Sequence, residues 1–152
     1  MNSALSVADI SKPKLAYASL EQAFPAVDPG LKPFGSTVLV QMRTPMTRTA
    51  GGFYLAQETR ETEKWNTQVA KVVALGPLAF KNRDTLEPWP EGDWVTKGTF
   101  VRVPKYAGDR WEVPVPGSPD RALFILFNDR DLRGEITIDP LTYEAYIPAE
   151  AA

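Results

Sequence analysis

Thr44 to Asn66 reads TPMTRTAGGFYLAQETRETEKWN and lies between two strand-like runs, Val38–Met42 and Gln68–Leu75. The connection has neither a helical period nor a strand-length apolar run, and its one apolar cluster directly follows a pair of glycines. Long connections without secondary structure are uncommon inside a compact domain and are usually functional. Glycine reaches positive φ freely, so the pair provides a pivot beside an apolar anchor. We predict a flexible recognition arm, the alternative being an ordinary disordered excursion. Its working residues are Gly51, Gly52, Phe53, Tyr54 and Leu55.

The composition excludes several classes of function. The net charge of −2 does not draw the chain to nucleic acid or to an anionic membrane. The chain has no histidine and no cysteine, which argues against Ser-His hydrolases, zinc enzymes and disulfide frameworks. No signal peptide and no membrane-spanning run are recognisable. We expect a cytoplasmic protein that is not an enzyme and has no metal site and no cofactor.

Short apolar runs separated by proline and glycine predict an all-β fold. With five to seven strands around one core, a small barrel is the economical closure because it removes exposed sheet edges. Pro114 has no N–H to donate, so the strand that contains it should be an edge or interrupted strand. The predicted strands are Val38–Met42, Gln68–Leu75, Trp94–Val103, Arg110–Val115, Ala122–Phe127 and Gly134–Ile138.

The chain divides into a barrel and two extensions. We predict an N-terminal extension over residues 1–32, a barrel domain over 33–138 with the long loop at 44–66, and a C-terminal tail over 139–152. The N-terminal extension carries several proline breaks and should be mostly flexible. The alternative is that its larger apolar side chains dock on the barrel; these are Leu15, Tyr17, Leu20 and Phe24.

Other chemical motifs are weak. Gly51-Gly52 is not followed by the Lys-Ser/Thr of a phosphate-binding loop. Acidic residues near the turns, such as Asp129 and Asp131, are more often turn formers than catalytic pairs. The tryptophans could form a base-stacking platform, but they are not interleaved with enough lysine or arginine. Core packing is the better interpretation of Trp94 and Trp111.

Six motifs in order resemble the GroES-type co-chaperonins, also called the ten-kilodalton chaperonins. The resemblance covers about Leu31 to Ile136, and each motif alone is weak. The long loop carries the Gly-Gly-apolar signature of the family's mobile loop, and Glu91-Gly92-Asp93-Trp94-Val95 resembles its Val-Gly-Asp-x-Val turn. The other matching segments are Leu31–Phe34 with Val38–Val40, Gln68–Gly76, Val103–Gly108 and Leu126–Gly134.

This resemblance implies a seven-subunit dome of irregular β-barrels that caps a GroEL-type chaperonin ring. The loop around Phe53 would dock on the apical domain of the chaperonin, which alone would bind and hydrolyse ATP. The segment 78–90 would form the hairpin that lines the roof opening. Its turn residues are Lys81, Asn82, Arg83 and Asp84.

The sequence also departs from the family pattern. Ser36-Thr37 replaces the usual acidic-basic pair, and the two extensions have no counterpart in the family. Divergence with added tails would suit a bacteriophage-encoded member acting in the host cytoplasm. Two other functions are weighed against the co-chaperonin role. One is a GroES-like barrel repurposed as a structural or assembly protein; the other is the catalytic barrel of a dehydrogenase, whose nucleotide domain and metal ligands this chain lacks.

Overall fold

The computed structural model describes residues 17–44 and 68–143, in which six strands form one antiparallel sheet. The strands are β1 (Thr37–Met42), β2 (Val69–Leu75), β3 (Phe100–Arg102), β4 (Asp109–Pro114), β5 (Arg121–Asn128) and β6 (Gly134–Glu135). Their order across the sheet is β4-β5-β1-β2-β3-β6. The helical content of these residues is one turn at Leu20–Ala23 (α1) and a 3-10 turn at Asp129–Asp131. The predicted all-β class is confirmed.

Strands β1 and β5 are neighbours inside the sheet and are its most apolar elements. They pair antiparallel from Thr37 opposite Asn128 to Gln41 opposite Phe124. Val38, Leu39 and Val40 are fully buried, and so is most of β5. Successive residues on a strand point to opposite faces, so burial of consecutive side chains means that both faces are covered. Continuous apolar runs in the sequence are typical of such strands.

The main core lies between β1, β2, β3 and β5 and the connections that cross them. It combines β-branched residues of the strands with aromatic residues of the connections. β-branched and aromatic side chains suit a pleated, buried surface, so strand propensity and core packing agree here. Its largest fully buried side chains include Phe80, Phe127, Ile125, Val38, Val40, Val72, Val101 and Val103.

Strand β4 is one edge of the sheet, as the proline in it predicted. Pro114 pairs with Arg121 at the end of the β4–β5 ladder. Trp111 stacks on Phe124 with ring centroids 6.1 Å apart, and its Nε1 donates to the carbonyl of Pro29 at 2.9 Å. A tryptophan buries a large apolar ring while its N–H finds a partner. The packing interpretation of Trp111 is therefore correct.

Two predicted strands are shorter than the sequence pattern suggested. Trp94–Val103 was expected as one strand, but only Phe100–Arg102 is extended and paired. A turn interrupts the remainder, with the Thr99 N–H donating to the Thr96 carbonyl at 3.1 Å and Gly98 at φ +96°. Alternating polarity is also compatible with a turn that presents threonines to solvent. Likewise, β6 covers Gly134–Glu135 instead of Gly134–Ile138.

Gly76 directly follows β2, and the backbone of the turn before β1 packs against it. A Cβ at this position would lie 2.2 Å from the carbonyl oxygen of Gly35. The Leu78 N–H donates to that same oxygen at 2.9 Å, and the Gly76 N–H donates to Thr37 at 2.8 Å. Glycine is required here by close packing of two backbones, because any side chain would separate them.

Part of the N-terminal extension, which the proline breaks predicted to be mostly flexible, packs on the sheet. In the described part of the extension, Ala23 and Phe24 are buried, and the Phe24 ring lies 5.2 Å from that of Phe100. Gln41 Nε2 donates to the carbonyl of Pro25 at 2.9 Å. The sequence missed this because proline breaks prevent helices without preventing extended chain from docking. Of the four side chains in the docking alternative, Tyr17 and Phe24 pack on the sheet and Leu20 is 47% exposed, while Leu15 lies outside the described residues.

Candidate functional site

The long loop begins and ends at neighbouring strands. Met42 pairs with Ala70 at the end of the β1–β2 ladder, and the Arg43 N–H continues it by donating to the Val69 carbonyl at 3.0 Å. Thr44 and Gln68 are the last described residues before and after residues 45–67. The connection therefore leaves and rejoins the sheet at one place. Its predicted binding residues, Gly51 to Leu55, lie outside the described residues.

Thr44 is held through its backbone by the N-terminal segment. Its N–H donates to the carbonyl of Ala23 at 2.8 Å, and its carbonyl accepts the Tyr17 hydroxyl at 2.6 Å. A helical turn, α1, brings these two partners together, because Ser19 caps it by accepting the N–H of Gln22. The first residue of the loop is thereby held by a segment that lies before β1 in the sequence.

Arg43 is a buried arginine, 6% exposed, beside Thr44. Its Nη1 donates to the carbonyls of Pro140 at 2.9 Å and Tyr143 at 2.8 Å. Its guanidinium carbon also lies 5.5 Å from the centre of the Tyr17 ring. A planar guanidinium suits this arrangement because it donates in its plane and stacks on an aromatic face. Arg43 thus joins the N-terminal segment to the C-terminal one.

Gln68 is held at the other end of the loop. Its Nε2 donates to the Val103 carbonyl at 3.0 Å, and its Oε1 accepts from Arg102 Nη2 at 3.2 Å. Arg102 also donates through Nη1 to the hydroxyl of Tyr143 at 3.0 Å. Both ends of the loop therefore connect to Tyr143, one through Arg43 and the other through Arg102.

The predicted hairpin at 78–90 is present and has an ordered turn. Lys81 and Pro88 form an antiparallel bridge, and the Asn82 N–H donates to Glu87 at 2.8 Å. The side-chain oxygen of Asn82 accepts the N–H of Asp84 at 2.8 Å and that of Thr85 at 3.1 Å. Asparagine favours turns for this reason. Asn82, Arg83 and Asp84 are exposed there, while Lys81 is half-buried.

Three aromatic side chains pack together at the base of the hairpin, namely Phe80, Trp89 and Trp94. Phe80 is fully buried at φ +62°, and the side chains of Trp89 and Trp94 lie 5.5 and 6.1 Å from its ring. Its N–H donates to Asp129 Oδ2 at 2.9 Å in a buried environment. A non-glycine residue rarely adopts positive φ, so surrounding contacts must hold it. Asp129 provides one such contact from the segment after β5.

A cleft of about 310 Å³ lies beside β6, lined by Glu91, Trp94, Val95, Val101 and residues 132–135. Across residues 17–44 and 68–143, His, Cys, Asp and Glu never gather in a group of three that could hold a metal ion. The same two ranges contain no helix with the length and apolarity needed to cross a bilayer.

Sequence reasoning located the loop and the hairpin but missed the residues that fix them. Asp129 was interpreted as a turn former, although its carboxylate is buried and binds the hairpin. Arg43 and Tyr143 carried no motif, and their contact joins residues 100 apart in sequence. One weak signal was available for Arg43, because it directly follows a buried strand. An arginine there must find partners or remain in solvent.

The part of the chain that forms the sheet matches a known protein family. The sequence model of the family described as the chaperonin 10 Kd subunit matches residues 30–136. The chain is also similar to the protein named co-chaperonin GroES of Tetragenococcus halophilus. The two are 33% identical over 102 residues, which cover 67% of this chain and 94% of that protein. The match contains both loop ends and the hairpin but excludes most of the two extensions.

Proposed function

Because the chain belongs to the chaperonin 10 family, we propose that it is a co-chaperonin that caps a GroEL-type chaperonin ring and encloses folding clients. The observation that carries the proposal is the family match across residues 30–136, which includes the whole sheet. The similar protein from Tetragenococcus halophilus is itself named co-chaperonin GroES, which supports the same role. In the proposed cycle the chaperonin binds and hydrolyses ATP, while this chain contributes binding surface alone.

The contact with the chaperonin is made by Gly51, Gly52, Phe53, Tyr54 and Leu55. Support comes from the sequence of this stretch and from the loop ends, which lie side by side where the interior strands β1 and β2 end. Burial of a phenylalanine or leucine side chain contributes roughly 1.5–3 kcal/mol. Repeated on each subunit of a ring, contacts of this size give strong capping through effective concentration.

The hairpin with Lys81, Asn82, Arg83 and Asp84 at its turn lines the roof opening of the proposed heptamer. Support comes from its geometry, since the turn is exposed and ordered while its base is buried on Phe80. Lys81 and Arg83 are balanced by Asp84 and Glu87 in the same turn. Copies of such a turn can approach one another around an axis without accumulating charge of one sign.

The test is a capping assay with a double variant and a matched control. The protein is mixed with a GroEL-type chaperonin with and without ATP, and capped rings are counted by electron microscopy. We expect ATP-dependent caps, and we expect the Phe53→Ala/Leu55→Ala variant to lose them. The control Tyr106→Ala/Ile138→Ala removes side chains that are 76% and 63% exposed elsewhere on the barrel, and it should cap normally. Normal capping by an assembled Phe53/Leu55 variant would refute the assignment of these anchors.

A further inference from the structure

The two chain segments outside the family match meet at the base of the long loop. The match begins at residue 30 and ends at residue 136. Residues 17–24 and 139–143 lie beyond these limits, yet each of them contacts a residue that flanks 45–67. These two segments, 17–24 as the N-terminal addition and 139–143 as the C-terminal addition, are far apart in the sequence. Chain connectivity alone therefore does not bring them to the same place. Their convergence indicates a shared role at that place.

The N-terminal addition satisfies both backbone polar groups of Thr44. Ala23 accepts its N–H at 2.8 Å, and the Tyr17 hydroxyl donates to its carbonyl at 2.6 Å. Thr44 is only 6% exposed, so these groups are shielded from water. Buried backbone groups require partners, and losing one costs the desolvation of the group left behind. Residues 17–24 therefore supply the two hydrogen-bond partners that a neighbouring strand would otherwise give Thr44.

The C-terminal addition is a turn closed on itself and held by arginines. Asp139 accepts the N–H groups of Leu141 and Tyr143, at 2.9 Å through its side chain and 3.1 Å through its carbonyl. The turn presents its carbonyls to Arg43 and the hydroxyl of Tyr143 to Arg102. Hydrogen bonds from a charged donor are among the stronger ones in proteins. The turn is thus bound to Arg43, next to Thr44, and it is linked to Gln68 through Arg102.

An apolar cluster lies beneath these polar contacts and is separate from the main core. Its buried members are Ala23, Phe24, Val69 and Ile136, and Tyr17, Phe100, Leu141 and Tyr143 pack against it. The cluster takes residues from both additions and from strands β2 and β3. Apolar burial supplies most of the stabilisation in such a contact, and the hydrogen bonds fix its geometry.

We propose that residues 17–24 and 139–143 form a clasp that holds Thr44 and Gln68, and that the clasp is a positioning element for docking on the chaperonin. This inference rests on the proposed function. A binding arm with a fixed base searches a smaller volume than one whose base moves. Its effective concentration at a site on the partner ring is then higher. Tyr17 and Ala23 contact Thr44 directly, whereas the C-terminal turn is linked to Gln68 through Arg102. The clasp acts through the loop ends, without contact to the chaperonin.

A matched pair of double variants tests the clasp. Tyr17→Phe/Arg43→Met removes the hydroxyl that binds Thr44 and the guanidinium that binds residues 140 and 143. Tyr106→Phe/Arg110→Met makes the same chemical changes near β4, where Arg110 Nη2 donates to the Ala107 carbonyl at 2.9 Å. A second pair guards against misfolding of the first. A chain ending at Ile138 lacks the C-terminal turn, and a chain ending at Tyr143 keeps it.

Two readouts separate the clasp from the proposed function. The first is amide hydrogen exchange in the assembled protein without chaperonin, at Thr44 and at Val103, whose N–H donates to the Gln68 carbonyl at 2.9 Å. The second is ATP-dependent capture by a chaperonin ring. In the clasp variants we expect exchange about tenfold faster at both amides and capture weakened by a factor of about three or more. The two controls should match the unaltered protein in both readouts.

Three results would overturn the proposal. Unchanged exchange in folded clasp variants would show that the additions do not hold the loop ends. Faster exchange with undiminished capture would show a clasp that has no positioning role. If the unaltered protein is not captured by any chaperonin tested, the proposed function fails and the positioning role fails with it. The exchange result still decides by itself whether residues 17–24 and 139–143 hold Thr44 and Gln68.

Discussion

Asp129→Ala should destabilise the protein through the base of the hairpin. Asp129 is 5% exposed, and its Oδ2 accepts the Phe80 N–H at 2.9 Å in a buried setting. The variant leaves that N–H without its partner where water has little access. A hydrogen bond to a charged group contributes about 1.5–3 kcal/mol, and an unsatisfied buried donor costs about 1–3 kcal/mol. Both figures describe the loss of the same hydrogen bond and are not added, so we expect the free energy of unfolding to fall by about 2–3 kcal/mol.

Two further variants separate the hydrogen bond from other effects. Asp129→Asn keeps an acceptor oxygen at nearly the same position and loses only the charge, so we expect a loss of about 1 kcal/mol. Asp131→Ala removes an acceptor at 3.2 Å from the N–H of Asn128 in the same 3-10 turn, where the contact is exposed. Water can replace that acceptor, so a loss of at most about 0.5 kcal/mol is expected.

The assay is thermal unfolding at one protein concentration, since association of subunits in the proposed ring would add to the apparent stability. For a chain of 152 residues, each kcal/mol corresponds to about 2–4 °C in Tm. Asp129→Ala should then melt roughly 4–12 °C lower than the parent. Exchange of the Phe80 amide should also become faster in this variant. Equal melting of Asp129→Ala and Asp131→Ala, with Phe80 exchange unchanged, would refute the reasoning.

The remaining predictions concern single substitutions compared in thermal melts. Gly76→Ala should cost about 3 kcal/mol or more because the new Cβ would lie 2.2 Å from a backbone oxygen, whereas Gly92→Ala, at φ +73° with open space around it, should cost about 1 kcal/mol from backbone strain alone. Equal losses would contradict the close-approach argument. Trp111→Phe should cost about 1 kcal/mol more than Trp94→Phe, since Trp111 Nε1 has a hydrogen bond at 2.9 Å and the buried Nε1 of Trp94 has no partner among the described residues. The opposite order would show that ring area dominates. Leu86→Gly should be neutral or stabilising by up to about 1 kcal/mol, because Leu86 is 54% exposed at φ +64°; a clear loss would mean that its side chain is needed in the assembled ring.

Much of the fold followed from local pattern. The apolar runs of β1 and β5 predicted strands, and Pro114 predicted an edge or interrupted strand. These predictions succeeded because strand propensity and the missing N–H of proline are properties of a few adjacent residues. The strand expected over Trp94–Val103 was too long, since alternation does not distinguish a strand from a threonine-rich turn.

The features of the candidate site also divide into those that local sequence determines and those that depend on tertiary contacts. The sequence by itself determined the loop with its Gly-Gly-apolar stretch, the hairpin turn at Asn82, and the family to which the chain belongs. Only the tertiary structure decided that Asp129 holds the hairpin, and that Tyr17 and Tyr143 meet at the loop ends. The physical reason is sequence separation. A hydrogen bond between residues 49 or 100 positions apart leaves no periodic trace in either segment, because it depends on how the sheet brings them together.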